Sequence, residues 1–200
     1  MSALLLPALP RASAPLLRDA LDHVIEAALS QAGASGVRAL SGRLPSKQSL
    51  LDGQRALRAA PDSNDARAQR ALLECALIVA SADELTPEEQ TALERLFQQV
   101  LGDAEAAQLI QELQRHLEVE GVQGSLSRVA DQLVSFEQRE QALSFAVLAA
   151  IADRELGEAE ADRLLDLGAR FGFGVGEVQR LVDRMAKALK NALASSNLSG

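Results

Sequence analysis

Acidic side chains gather in two short segments of the chain, and carboxylates grouped in this way could bind a metal ion. The first segment contains Asp83, Glu84, Glu88 and Glu89, and the second contains Asp153, Glu155, Glu158 and Glu160. Carboxylate oxygens are the ligands that calcium and magnesium prefer. We therefore name four candidate metal ligands: Asp83, Glu89, Asp153 and Glu160.

A second interpretation of the same acids needs no metal. Acidic residues at helix N-termini complement the helix dipole and cap free backbone amides. Neither segment has the alternating carboxylates and central glycine of an EF-hand loop. The sequence leaves both interpretations open.

The sequence shows no motif typical of an active site beside these acids. Gly172–Gly176 is rich in glycine, but no strand precedes it and no Lys-Ser or Lys-Thr follows it, so we predict an interhelical turn. His23 and His116 are far apart, without a neighbouring ligand at zinc-site spacing. Cys75 lies in an apolar run and is expected to be buried. We expect no enzyme, no catalytic residue and no cofactor other than the divalent cation considered above.

Composition limits the fold and the partners. The chain has 48% hydrophobic residues, no Trp or Tyr, and five Phe, and its apolar residues are mainly Leu and Ala. This composition favours an all-α fold. Residues 63–200 carry thirteen basic and twenty-three acidic side chains, and such a surface repels phosphate backbones. We expect no nucleic-acid partner, no transmembrane segment and a cytoplasmic location.

Helix signals recur along the chain. Ser13 and Pro15 start a helix that should end at Gly33, and residues 33–46 should form a connector to a short helix ending before Pro61. Further helices are predicted at about 66–82, from Thr86-Pro87 to Gly102, around 109–117 and, after a loop at Gly121 and Gly124, at about 125–134, 137–152, 158–171 and 175–193.

These signals divide the chain into three parts. We predict an N-terminal extension over 1–62 with one or two helices, a helical domain over 63–194, and a polar tail over 195–200. The extension begins with Leu4–Leu6, interrupted by Pro7 and Pro10. This opening suits a groove-binding peptide or a strap across the bundle, and disorder is the alternative.

The helical domain contains an internal repeat. Residues 72–118 align with 142–190, pairing Ala82 with Ala152, Asp83 with Asp153 and Glu89 with Glu160. Two such units, each unable to bury its apolar face alone, should pack together about a pseudo-twofold axis. The fold prediction is thus a helical bundle built from a duplicated helix pair, with an N-terminal helical extension.

The repeated Ala-Asp, the following Leu and the later Glu resemble the twofold motif of the tellurite-resistance TerB-like family. The copies here begin at Ala82 and Ala152, and the resemblance covers about 66–190. It implies a compact all-helical bundle connected with stress resistance and a divalent cation held by the acidic turns. The family's glycine after each Asp is replaced here by Glu84 and Arg154.

The leading functional hypothesis is a non-enzymatic interaction or adaptor module of TerB-like type, with an unidentified protein partner and with a homo-oligomer as one form of assembly. The alternative is a divalent-cation-binding stress protein that uses the acidic turns.

Overall fold

The computed structural model describes residues 4–38, 64–101 and 103–196, with side chains described for 4–27, 67–101 and 105–195. Within this part of the chain every regular element is a helix, which confirms the all-α prediction. The helices are α1 (Ala14–Arg38), α2 (Asn64–Ala80), α3 (Pro87–Leu101), α4 (Asp103–Gln132), α5 (Phe136–Ala150), α6 (Glu158–Phe171) and α7 (Val175–Ser196).

The centre of the bundle is the contact between α2 and α5. All residues from Ala71 to Ala80 and from Ala142 to Ala152 are buried, so each helix is covered on every side over these stretches. A helix that is apolar all round belongs in the core of a protein. Many of these residues are alanine, whose small side chains allow the two backbones to approach closely.

The other helices surround this pair in two similar sets. α2 packs on α4 as α5 packs on α7, and α2 meets α6 as α5 meets α3. α1 lies across α7 and α3, which attaches the N-terminal part of the chain to the bundle. Two copies of one helical unit would produce matching contacts of this kind, and the duplication itself stays a prediction.

The structure corrects the predicted end of the first helix. α1 does not end at Gly33 but continues to Arg38. Glycine lowers helix propensity but keeps its backbone N–H, so it does not by itself stop a helix. The predicted connector from residue 39 onward, the short second helix and the 62/63 boundary lie outside the described residues.

The predicted loop at Gly121 and Gly124 is a break at one residue. Gly121 has φ 71° and ψ 169°, whereas helix continues on both sides of it within α4. A positive φ is easily adopted by glycine, which lacks a Cβ atom.

The structure also corrects the predicted end of the last helix. α7 extends to Ser196, beyond the predicted end at residue 193.

A buried ion pair connects the second half of α4 to the core. Arg128 donates through Nη1 to Glu74 Oε2 at 2.7 Å and through Nη2 to Glu74 Oε1 at 2.6 Å. Its Nε donates to Glu120 at 3.0 Å, across the break at Gly121. Because Glu74 is 1% exposed, these bonds supply the compensation that a buried charge requires.

Because α2 and α5 pack closely, a larger side chain between them should lower the free energy of unfolding. We expect Ala146→Leu, at a residue with no exposure, to lower the free energy of unfolding by about 2 kcal/mol, because overpacking displaces neighbouring side chains. The control is Ala169→Leu on the exposed side of α6. Urea unfolding followed by circular dichroism measures both, and equal stability of the two variants would contradict the close-packed contact.

Candidate functional site

The first acidic turn connects α2 to α3 and ends in a helix cap. Thr86 donates its backbone N–H to Glu89 Oε2 at 2.7 Å and its hydroxyl to the same oxygen at 2.9 Å. The Glu89 backbone N–H donates in return to Thr86 Oγ1 at 3.3 Å. This reciprocal capping draws Glu89 inward, and the side chain is 2% exposed.

The second acidic turn connects α5 to α6 and places Glu160 in the equivalent position. The Gly157 backbone N–H donates to Glu160 Oε2 at 2.9 Å, and Glu160 is 3% exposed. A Cβ atom on Gly157 would lie 2.7 Å from Asp83 Oδ2 of the first turn. Glycine at this position therefore allows the two acidic turns to come together.

The two turns meet through the carboxyl groups of Glu89 and Glu160. The pKa of Glu160 is raised to about 9: burial is the largest cause, the Gly157 N–H bond opposes the rise, and the hydrogen bond and charge of Glu89 and the charge of Asp83 add to it. Two buried carboxylates repel each other when both are ionised. One proton shared between them would remove this repulsion and form the hydrogen bond that joins them.

One oxygen of this pair has no hydrogen-bond partner among the described residues. It is Glu160 Oε1, which is fully buried, while Oε2 accepts the Gly157 N–H. A buried acceptor without a donor is costly, so such an atom indicates a missing proton, water or cation. The oxygen belongs to the same carboxyl group that faces Glu89.

The structure places two of the four predicted ligands near a third, Glu160. Asp83 and Glu89 both raise the pKa of Glu160, whereas Asp153 is not among the groups that shift it. Asp153 instead accepts the Glu155 backbone N–H at 2.9 Å, and Arg154 in this turn has φ 75°. Within the described part of the chain, no three Asp, Glu, His or Cys side chains converge as a ready-made ligand set.

A second surface feature lies at the other end of α5 and α6. Five large hydrophobic side chains are exposed among the described residues, and four of them lie in neighbouring segments there: Leu5, Val134, Phe136 and Val175. We call these four residues the apolar patch. Val119 is the exposed hydrophobic residue outside it.

Three contacts bring the patch residues together. The Phe136 ring packs on Phe173 with centroids 5.0 Å apart, which joins the α4–α5 turn to the α6–α7 turn. Arg139 donates to the carbonyls of Leu133 and Phe171, at 2.7 and 3.5 Å, and links the same two turns. The backbone of Leu5 is held by Gln179, one helical turn from Val175.

Two smaller predictions are confirmed. The α6–α7 turn is formed by Gly172 to Gly174, and the last two residues of the predicted segment begin α7. Gly172 has φ 87°, and the Phe173 N–H donates to the Gly168 carbonyl at 2.8 Å. Cys75 is buried, and burial raises the pKa of its thiol well above the usual range, with the nearby Glu74 charge adding to the shift.

Sequence reasoning missed the Glu74–Arg128 pair and the hydrogen bonds between Gln179 and the Leu5 backbone. Glu74 interrupts the apolar run of α2, and a charge in such a run signals a buried partner. The partner itself lies 54 residues away, and helix periodicity does not identify it.

Comparison with known families supports the sequence motif. A sequence model described as tellurite resistance protein TerB matches residues 68–184, which include both acidic turns. No significantly similar curated protein and no significantly similar solved structure was found. Among the described helices, none has the length and apolar character needed to span a lipid bilayer.

The raised Glu160 pKa predicts an unusual pH dependence of stability. Between about pH 5 and 9 the unfolded state releases this proton while the folded state keeps it, so stability should fall as the pH rises. Glu160→Gln cannot ionise, and its amide can donate to Glu89. We expect this variant to exceed the wild type at pH 8.5 by at least about 1 kcal/mol, equivalent to roughly one pKa unit, and to lose the decline.

Glu158→Gln, in the same helical turn but exposed, is the matched control and should follow the wild-type pH profile. Urea unfolding at several pH values between 5 and 9 measures the effect. A wild-type stability that is constant or rises over this range would contradict the shared proton.

Proposed function

The chain belongs to the TerB tellurite-resistance family, and from that premise we propose that it is a non-enzymatic interaction module whose partner binds the apolar patch. The observation that carries this proposal is the grouping of Leu5, Val134, Phe136 and Val175 at one end of the bundle. Single exposed hydrophobic residues are common, but a contiguous patch on a monomer is typical of an interaction site.

The patch is held in place before any partner arrives. The Ser135 hydroxyl accepts the Gln138 N–H at 3.1 Å and starts α5 beside Phe136, and Arg139 fixes the turns on both sides. A rigid surface loses little conformational entropy on binding, which favours recognition by a folded or folding partner.

The balance of charge favours one kind of partner. Asp131 and Glu137 are exposed and close in sequence to Val134 and Phe136, Arg139 is engaged with two backbone carbonyls, and residues 63–200 carry ten more acidic than basic side chains. A complementary ligand therefore presents apolar side chains flanked by lysine or arginine. We propose a basic amphipathic protein segment as this ligand.

Site-specific photo-crosslinking tests this assignment. A benzophenone amino acid replacing Phe136 should capture a partner in living cells, and the crosslinked peptide should contain apolar residues flanked by Lys or Arg. The same group at Val119, which is 80% exposed outside the patch, is the control. Identical products at both positions, or a crosslinked segment rich in acidic residues, would exclude the patch as the binding surface.

The second candidate function is binding of a divalent cation at the acidic turns. The specific observation in its favour is Glu160 Oε1, a buried carboxylate oxygen that no donor of the described residues reaches, in a carboxyl group beside Glu89 and near Asp83. These are hard oxygen donors of the type that calcium and magnesium take. A cation here would neutralise the buried carboxylates in place of the shared proton, after Asp83 turns inward to complete the ligand set.

Calorimetry with calcium, magnesium and zinc salts tests this candidate. A cation at this site should raise the melting temperature and release a proton, so the measured heat should depend on the buffer. Glu160→Gln should abolish both effects, whereas Glu158→Gln should retain them. Absence of heat and of any thermal shift at millimolar ion would eliminate the cation site and leave the apolar-patch proposal unaffected.

A further inference from the structure

The first described residues form an extended segment bound to the side of the bundle. We call Leu4–Ser13 the strap, because it contains no helix and packs against the core before α1 begins. Leu5 donates its backbone N–H to Gln179 Oε1 at 2.9 Å, and its carbonyl accepts from Gln179 Nε2 at 2.7 Å. The Gln179 amide is oriented by a further bond to Asp183 at 2.9 Å.

The burial pattern of the strap is that of an extended peptide lying on a surface. Leu4 is 7% exposed, Leu5 is 72% exposed, and Leu6 is half-buried. From Leu6 to residue 12 every third residue is half-buried and the residues between are exposed, which is the repeat of an extended polyproline II helix. Pro7 and Pro10 fix φ near the extended region and prevent the segment from becoming helical.

These contacts are those of a peptide-binding site. The Gln179 amide pairs with both backbone groups of one residue, as a neighbouring strand would, and does not depend on which side chain that residue carries. Specificity comes from the buried position of Leu4. Backbone pairing combined with a pocket for one side chain is the usual way in which proteins bind extended peptides.

We propose that this site also binds the Leu4–Ala12 segment of a second copy of the chain, so that two bundles exchange their straps. An incoming segment of the same sequence makes the same hydrogen bonds and buries the same leucine, so exchange changes few contacts. The last residues of the strap, Pro10 to Ser13, are largely exposed, which makes local release of the strap possible without opening the bundle.

The first test supplies the segment as a separate peptide. A full-length Leu4→Asp chain cannot bury its own strap and should bind a labelled peptide of residues 1–12 in fluorescence anisotropy. A peptide carrying Leu4→Asp should bind at least about tenfold more weakly, a difference of roughly 1.4 kcal/mol. A peptide carrying Leu5→Ser should match the unmodified peptide, because the Leu5 side chain is exposed.

Gln179→Ala added to the Leu4→Asp chain tests the other side of the contact. It should weaken binding of the unmodified peptide at least about fivefold, since both backbone bonds are lost. If circular dichroism shows a folded Leu4→Asp chain and no peptide binds it, or if all three peptides bind equally, the peptide site is disproved.

The second test uses the unaltered chain and does not depend on any variant folding. Sedimentation velocity over increasing concentration should show a dimer, and an excess of the unmodified peptide should convert it to monomer. The Leu4→Asp peptide should leave the dimer intact. A chain that stays monomeric, or a dimer that the unmodified peptide does not dissociate, would overturn strap exchange.

Discussion

The close packing of α2 against α5 is the constraint on which the rest of the structure depends. Both helices are buried on all sides over their central turns, so every other helix has to be arranged around them. The turns that follow α2 and α5 meet through Glu89 and Glu160. The acidic pair is therefore a consequence of core packing as much as of the residues in the turns.

Local capping rules account for the burial of the two glutamates. Each lies three residues after the helix cap and turns back to accept the cap residue's backbone N–H. In an isolated helix this bond would lie at the surface and favour the ionised carboxylate. Here the two caps face each other, and the desolvation of Glu160 exceeds the stabilising effect of that bond. A glutamate in a common helix-start motif, Glu160, thus has a pKa that favours its protonated form.

The sequence predicted those features that depend on neighbouring residues. The helix start at Thr86-Pro87, the turn at Gly172 and the buried position of Cys75 all follow from local patterns, and all are present. The sequence did not predict the features that join distant segments. The Glu74–Arg128 pair spans 54 residues, and the approach of Asp83 to Gly157 depends on the angle between helices, which hydrophobic periodicity does not fix.

The limits of local sequence patterns also explain which candidate ligands lie together in the structure. The repeated motif paired Glu89 with Glu160, and both occupy the same position after a helix cap. It selected Asp153 by alignment with Asp83, yet the two aspartates have different surroundings. The second turn is one residue longer and contains Arg154 at positive φ, so its Asp bonds within the turn. Sequence symmetry therefore overestimates the symmetry of the site.

α6 connects the acidic pair to the apolar patch. Glu160 lies in its first turn, and the carbonyl of Phe171 at its end accepts a bond from Arg139 beside Phe136. Glu160 and Phe171 are eleven residues apart in this helix, which is about 17 Å at about 1.5 Å per residue. A change of charge at Glu160 can reach the patch by moving α6 as a unit, because packed helices shift rather than bend. The buried face of α6, which includes Leu164 and Leu167, resists such a shift, so the two sites are coupled only as far as that packing yields.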